Sequence, residues 1–261
     1  MMHEGLRIEE RGRVCWLIFE RAARKNALLP SMLDAIATRL EAAAQDGTRV
    51  VVLYGEGGAF SAGADLRWAA EQGAELYTQL EQLLEKYQRI IRLLVELPIP
   101  TVAVVDGVAY GFGCDLALAC DLRVASDRAY FQEGFVRIGL IPDGGGTWML
   151  PRLVGLSKAL EMTMLGERLS AEEAKQLGLL ARVVSAECVE GEAQEIAGRL
   201  ANGPPLALAQ IKRLTRAALS KPFDEAFRDE GAAQLACLRS RDCIEGMMAF
   251  FQKRTPVFEG T

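Results

Sequence analysis

Two glycine-bearing segments carry residues whose spacing suits anion stabilisation. The first is GAFSAGADL (58–66), which follows the apolar run at 50–54; the second is DGVAYGFGCDL (106–116), which follows the apolar run at 101–105. Each puts glycine where an expected strand runs into an expected helix. The first amides of a helix have no intrahelical acceptor, and the dipole there favours negative charge. Two such amides converging on one carbonyl oxygen form an oxyanion hole. Taken singly, each segment reads first as a tight turn. A third segment, GLIPDGGGTW (139–148), sets one carboxylate, Asp143, between a proline and three glycines. That aspartate suits a turn, a helix cap or a proton-transfer role.

Other chemistries are poorly supplied. His3 is the only histidine, which excludes a Ser-His or Cys-His nucleophile and a His-ligated metal. No metal site is expected. The six cysteines (15, 114, 120, 188, 237 and 243) form no C-x-x-C pair and read as small buried side chains in a reducing compartment. Gly111 and Gly113 lack the third glycine of a dinucleotide fingerprint, and GEGGAFSAG lacks the Lys-Ser/Thr of a phosphate loop. Carboxylates, backbone amides and water remain.

The 261 residues carry 30 Lys and Arg against 35 Asp and Glu, a net charge of −5 that gives no positive field for nucleic acid or an anionic membrane. No apolar run approaches the ~18 residues of a membrane span. The start, MMHEGLRIEERGRV, has no apolar signal core, and Glu4, Glu9 and Glu10 do not suit a transit peptide. A cytoplasmic location is expected.

Short apolar runs alternate with helical patterns in the first half, which predicts an α/β core with a partly parallel sheet. Strands are expected at 14–19, 50–54, 101–105, 121–125 and 179–184. A helix should open at Pro30-Ser31 with Asp34 completing a capping box, and another should run from Leu76 until Pro98 and Pro100 stop it. Ser157 and Ser170 read as N-caps, with Gly166 and Gly178 as the matching stops. From Pro204 onward only helices are expected, so residues 1–200 form the core and 201–261 a helical appendage.

The order FSAGADL, VDGVAYGFGCDLALACD, GLIPDGGGTWMLPRLVG and LSAEEAKQLGLLARVV resembles the crotonase superfamily, the enoyl-CoA hydratases and isomerases. The likeness runs from about residue 6 to the end, and the third segment is most similar to ring-type epoxyacyl-CoA isomerases. It implies a spiral of ββα units with a helical C-terminal region, and a homotrimer or hexamer in which 201–261 serves trimerisation. It also implies an acyl-CoA thioester substrate with no separate cofactor, coenzyme A being part of the substrate. By the same resemblance, Ala62 and Phe112 donate the two oxyanion amides, and the Phe112 ring fills space near the acyl group. Coenzyme A passes Arg24 and Lys25 and lies against Ala64, Asp65 and Leu66, while Lys253, with Arg254 beside it, reaches a neighbouring subunit's coenzyme. Arg24, Lys25 and Lys253 read equally as solvated surface charge.

The acids decide the reaction. Hydratases of the superfamily use two glutamates; the first falls at Asp115 and the second at Phe135, which cannot transfer a proton. Glu133 would share Phe135's face were that segment a strand. Asp143 matches the aspartate of several isomerases and dehalogenases. Two aspartates without the second glutamate favour moving a proton, with Asp143 as the principal acid/base and Asp115 assisting. Phe131, Phe135 and Trp148 would desolvate Asp143 and raise its pKa, though these aromatics read equally as core and Phe131 reads first as core. Hydration of a 2-enoyl thioester is the alternative within the class, and a non-catalytic CoA- or RNA-binding scaffold is the alternative outside it.

Overall fold

The computed structural model describes residues 2–261, and the chain winds as a spiral whose repeating unit is two strands and a helix. It begins with β1 (Met2–His3), β2 (Leu6–Arg11) and β3 (Val14–Phe19), paired antiparallel, then α1 (Pro30–Ala43). The first turn is β4 (Val50–Gly55), β5 (Ala59–Ser61), α2 (Leu66–Gln72) and α3 (Glu75–Glu96). The second is β6 (Thr101–Val105), β7 (Val108–Tyr110) and α4 (Phe112–Ala119). The third is β8 (Leu122–Ser126), β9 (Tyr130–Gln132), a 3-10 turn over Gly134–Ile138, and α5 (Gly146–Leu153). Then follow α6 (Leu156–Leu165), β10 (Arg168–Ser170), α7 (Ala171–Gln176), β11 (Arg182–Val184) and α8 (Val189–Ala201).

The first strand of each turn enters one seven-stranded sheet, order β1-β2-β3-β4-β6-β8-β11, parallel from β3 onward. The second enters a four-stranded sheet, order β10-β9-β7-β5. A parallel sheet covered on both faces needs strands that are apolar throughout. Every residue of β3 and β6 is buried accordingly. One face packs toward the small sheet and the inner helices, with Leu17, Phe19, Leu53 and Val105 in one core with Phe60 of β5. The other receives α8, whose Val189, Ala193, Ile196 and Ala197 recur at helical spacing against Trp16, Val52 and Val104.

Several local expectations hold. The strands at 14–19 and 101–105 are as read, and Ser170 caps α7 with a full capping box to Glu173. Gly166 caps α6 in the left-handed region. Others are corrected. Leu29 precedes α1, Pro30 takes its first turn, and no side-chain cap forms, so Asp34 completes no capping box. Asp34 instead pairs with Lys86 at 2.6 Å. Ser157 lies inside α6, whose N-cap is Gly155. The strand expected at 179–184 is only Arg182–Val184.

Beyond α8 the chain is helical: α9 (Pro205–Ala218), α10 (Phe223–Leu238) and α11 (Arg241–Gln252). Lys212 of α9 donates to the Leu94 and Ile99 carbonyls at 2.9 and 3.0 Å, and both Lys212 and Arg216 pair with Asp121.

Candidate active site

The turn joining β5 to α2 runs beside residues 25–28. Leu28 N–H donates to the Gly63 carbonyl at 2.8 Å, and Asp65 N–H donates to the Leu28 carbonyl at 3.1 Å. In such a parallel pairing successive residues point their backbone groups to opposite sides. Residue 63 offers its C=O and residue 65 its N–H to Leu28, so the amide of Ala64 points away. Among the described residues it has no acceptor.

The amide of Ala62 is different: it donates to the Lys25 carbonyl at 2.8 Å. The expectation that Ala62 supplies an oxyanion donor is therefore corrected. Its proton is committed to holding the 25–28 segment in place, and the unpaired amide lies two residues later.

Phe112 opens α4, and its amide likewise has no acceptor among the described residues. Gly63 brings the two free amides together. A Cβ on Gly63 would lie 2.7 Å from the Tyr110 carbonyl oxygen and 3.0 Å from the Phe112 nitrogen, and its φ of +81° suits glycine alone. The Phe112 ring is sealed against Tyr87 of α3, edge to face at 4.5 Å, and does not line the cleft as expected.

The carboxylates follow from α4. Asp115 is one turn beyond Phe112 on the same helix face. It is fully buried, and its Oδ2 accepts the Gly144 amide at 3.1 Å, which sets Asp143 next to it. Burial pushes the Asp115 carboxyl well above the usual carboxylate range, and the charges of Glu133 and Asp143 add to the rise. Asp143 is only half-buried, and burial raises its pKa too. Tyr87 lies within its reach: burial raises the phenol, and the charge of Asp143 adds to it.

Glu133 does not meet the condition under which it would share Phe135's face. The segment after β9 is a 3-10 turn, so Glu133 and Phe135 do not share a strand face. Glu133 is fully enclosed, and burial raises its pKa from 4.5 to about 8. Phe135 is half-buried, its ring 3.7 Å from where a Cβ on Gly111 would stand. Phe131 is core.

A cleft of about 500 Å³ opens beside these amides and is lined by Arg24, Lys25, Ala62, Ala64, Asp65 and Leu66. Its far wall holds Tyr130, Gln132, Arg137 and Arg168, none of them anticipated. The Arg168 guanidinium lies over the Tyr130 ring at 4.4 Å. Only the fold brings residues so distant in sequence together. The Asp65 carboxylate is occupied: it caps α2 through the Arg67 and Trp68 amides, both at 3.1 Å, and pairs with Arg21 at 2.8 Å.

Trp148 is not brought to this cleft. It is 43 % exposed, carries the Arg152 guanidinium 4.1 Å from its ring, and faces a groove toward Ile211 and Lys212 of α9. It therefore does not desolvate Asp143 as expected. Lys253 ends α11 with a φ of +53° and is absent from the cleft of its own chain.

The sequence profile of the enoyl-CoA hydratase/isomerase family matches residues 9–261. The chain belongs to that family. Over 260 residues it is 36 % identical to a probable enoyl-CoA hydratase of Rhodobacter capsulatus, covering all of both chains. It is 37 % identical over 262 residues to the 1,2-epoxyphenylacetyl-CoA isomerase of Escherichia coli, again covering all of both. The crystal structure of an enoyl-CoA hydratase from Bacillus anthracis superposes with a TM-score of 0.93 at 32 % identity, covering 98 % of this chain and 100 % of that one. This hydratase/isomerase has the crotonase fold and is an enzyme that processes acyl-CoA thioesters, which sets aside the scaffold alternative. Among the described residues of the enzyme, no helix is long and apolar enough to cross a membrane.

Proposed function

We propose that the enzyme shifts a proton along an enoyl-CoA, moving a double bond or opening a ring. One observation carries this reading. Of the three clustered carboxyls, Asp143 alone is partly open, whereas Asp115 and Glu133 are sealed. Addition of water needs two acids that reach the same water, and of the three only Asp143 has any exposure, although it is not among the residues lining the cleft of about 500 Å³. The relative named 1,2-epoxyphenylacetyl-CoA isomerase supports the reading.

The thioester oxygen accepts the amides of Ala64 and Phe112. These stabilise the enolate, each worth ~3 kcal/mol of barrier in comparable sites. Asp143 takes the proton from the α-carbon of a 3-enoyl thioester, and the electron pair delocalises to the oxygen. The same proton returns at the γ-carbon, leaving the 2-enoyl isomer and a free Asp143 carboxylate. A carboxyl raised by burial is the stronger base this step requires. Asp115 assists from beneath.

Coenzyme A follows Arg24, Lys25, Ala64 and Leu66, contacting the main chain at Asp65, and no separate cofactor takes part. The three C-terminal helices serve a homotrimer or hexamer. Phe223, Phe227, Phe250 and Phe251 support this, because they project from α10 and α11 at 64–80 % exposure. Lys253 and Arg254 then reach a neighbour's coenzyme in a cytoplasmic assembly.

Hydration is the second reading, supported by the relative named 2,3-dehydroadipyl-CoA hydratase, at 35 % identity. Supplying 3-enoyl-CoA and crotonyl-CoA separately, with ¹⁸O-labelled water and mass spectrometry, separates the two. Isomerisation of the first should outpace hydration of the second. Fast ¹⁸O uptake from crotonyl-CoA with 3-enoyl-CoA untouched overturns the isomerase reading.

A further inference from the structure

Neither carboxylate oxygen of Glu133 receives a well-formed hydrogen bond, the weakly donating Cys114 thiol lying against it, and the residue has no exposure. Asp115 is equally sealed, with Oδ1 unpartnered. The orphaned oxygens flank one point. A Cβ on Gly146 would lie 2.6 Å from Asp115 Oδ1 and 3.3 Å from Glu133 Oε1. Any side chain at 146 would fill this gap.

An ionised carboxylate buried without a donor is costly, and two side by side are costlier. The groups acting on the pair offer no counter-charge: they are Asp143 before α5, the Cys114 thiol on α4, and the Gly144 and Gly146 amides. One proton resolves the conflict. As an O–H, Glu133 donates to the open acceptor on Asp115, directly or through one water. Within the pair Asp115 is the member better able to keep the charge, because the Gly144 amide donates to it at 3.1 Å and the Gly146 amide, the first of α5, faces it.

We propose that Glu133 and Asp115 share a single proton across the gap left by Gly146, so that Glu133 is a positioning residue holding Asp115 oriented and charged beside Asp143. The consequence for turnover rests on the acid/base reading of Asp143; the shared proton does not. With one negative charge fixed behind it, Asp143 holds its proton more tightly and is the stronger base. Burial raises both carboxyls, Asp115 well above the ordinary range and Glu133 to about 8, which accords with a proton held by the pair at neutral pH.

Difference infrared spectroscopy of the intact enzyme tests this through the carbonyl stretch of a protonated, buried carboxylic acid. At neutral pH the wild type should show that band, fading on alkaline titration. Glu133→Gln should abolish it, Asp143→Asn should keep it, and Glu133→Asp should restore it in part. In Glu133→Gln, kcat should fall about tenfold with KM within twofold, and its pH profile should move. A wild type without the band, or a band that survives Glu133→Gln, overturns the proposal. If Glu133→Gln does not fold, retention of the band in Asp143→Asn supports the pair and its loss there overturns it. Full turnover in Asp143→Asn would instead refute the acid/base reading and leave the band to decide the pair.

Discussion

Tyr87 meets the Phe112 ring edge-on, with centroids 4.5 Å apart and planes at 72°. The contact ties α3 to the first residue of α4, so a ring buried in the core braces the amide that the proposed mechanism uses. Tyr87→Leu keeps much of the apolar volume but loses the aromatic pair, worth about 0.5–1.5 kcal/mol beyond its area. Calorimetry should show a melting temperature lower by a few degrees. Turnover should fall as well, while Tyr87→Phe should preserve both.

Replacing the Ala64 amide with an ester by semisynthesis removes one donor and leaves the side chain alone. Turnover should drop about 10²–10³-fold. Calorimetric binding of free coenzyme A should change little. The same replacement at residue 62 removes only the bond to Lys25 and should leave catalysis within a few-fold, provided the 25–28 segment stays in place.

Asp143→Asn keeps size and removes the base, so turnover should fall at least ~10²-fold. Exchange of substrate α- and γ-protons with deuterated water should fall in parallel. Burial raises this carboxyl, so in the wild type the acid limb of the rate profile should lie above the ordinary carboxylate range of about 4.

Stability should decline with rising pH because of Glu133. Its folded-state pKa is raised from 4.5 to about 8, so between these values the folded chain holds a proton that the unfolded chain releases. The stabilisation is complete below the lower value and is lost as pH rises through the upper one. The slope can reach ~1.4 kcal/mol per pH unit for one proton. Urea unfolding at several pH values should show a flatter dependence in Glu133→Gln; an unchanged slope would assign the effect elsewhere.

Away from the site, Ser170→Ala removes the cap of α7 and should cost ~1 kcal/mol. A lower melting temperature with unchanged turnover is the expected result.

The legible parts of the fold are those whose signal is local. The strands at 14–19 and 101–105 are unbroken apolar runs because both faces of the sheet are covered. β5, β7 and β9 are three residues each, too short to show a period, so the second sheet was invisible as a sheet. Ser170 was readable because Glu173 stands at the reciprocal position; Ser157 misled because Gly155 already opens α6. In the site, the place of Phe112 came from the family resemblance, and the structure sets its amide at the opening of α4 after Gly111. The resemblance pointed to Ala62, but pairing with Leu28, far back in the chain, decides which amide stays free, and it leaves that of Ala64. The place of Glu133 hung on whether its segment is a strand, and the 3-10 turn that follows it does not keep a strand's alternation.

Both unpaired amides belong to the main chain, and this shapes what mutation can do to the enzyme. Among single codon changes at 64 or 112, only those to proline delete the donor outright; all others can act only by displacing it. The carboxyls at 115, 133 and 143 have no such protection, since one base change can neutralise or relocate an acid. Selection can therefore rewrite the protons of the reaction while the anion-holding scaffold stays constant, so one ancestral framework can supply many different outcomes.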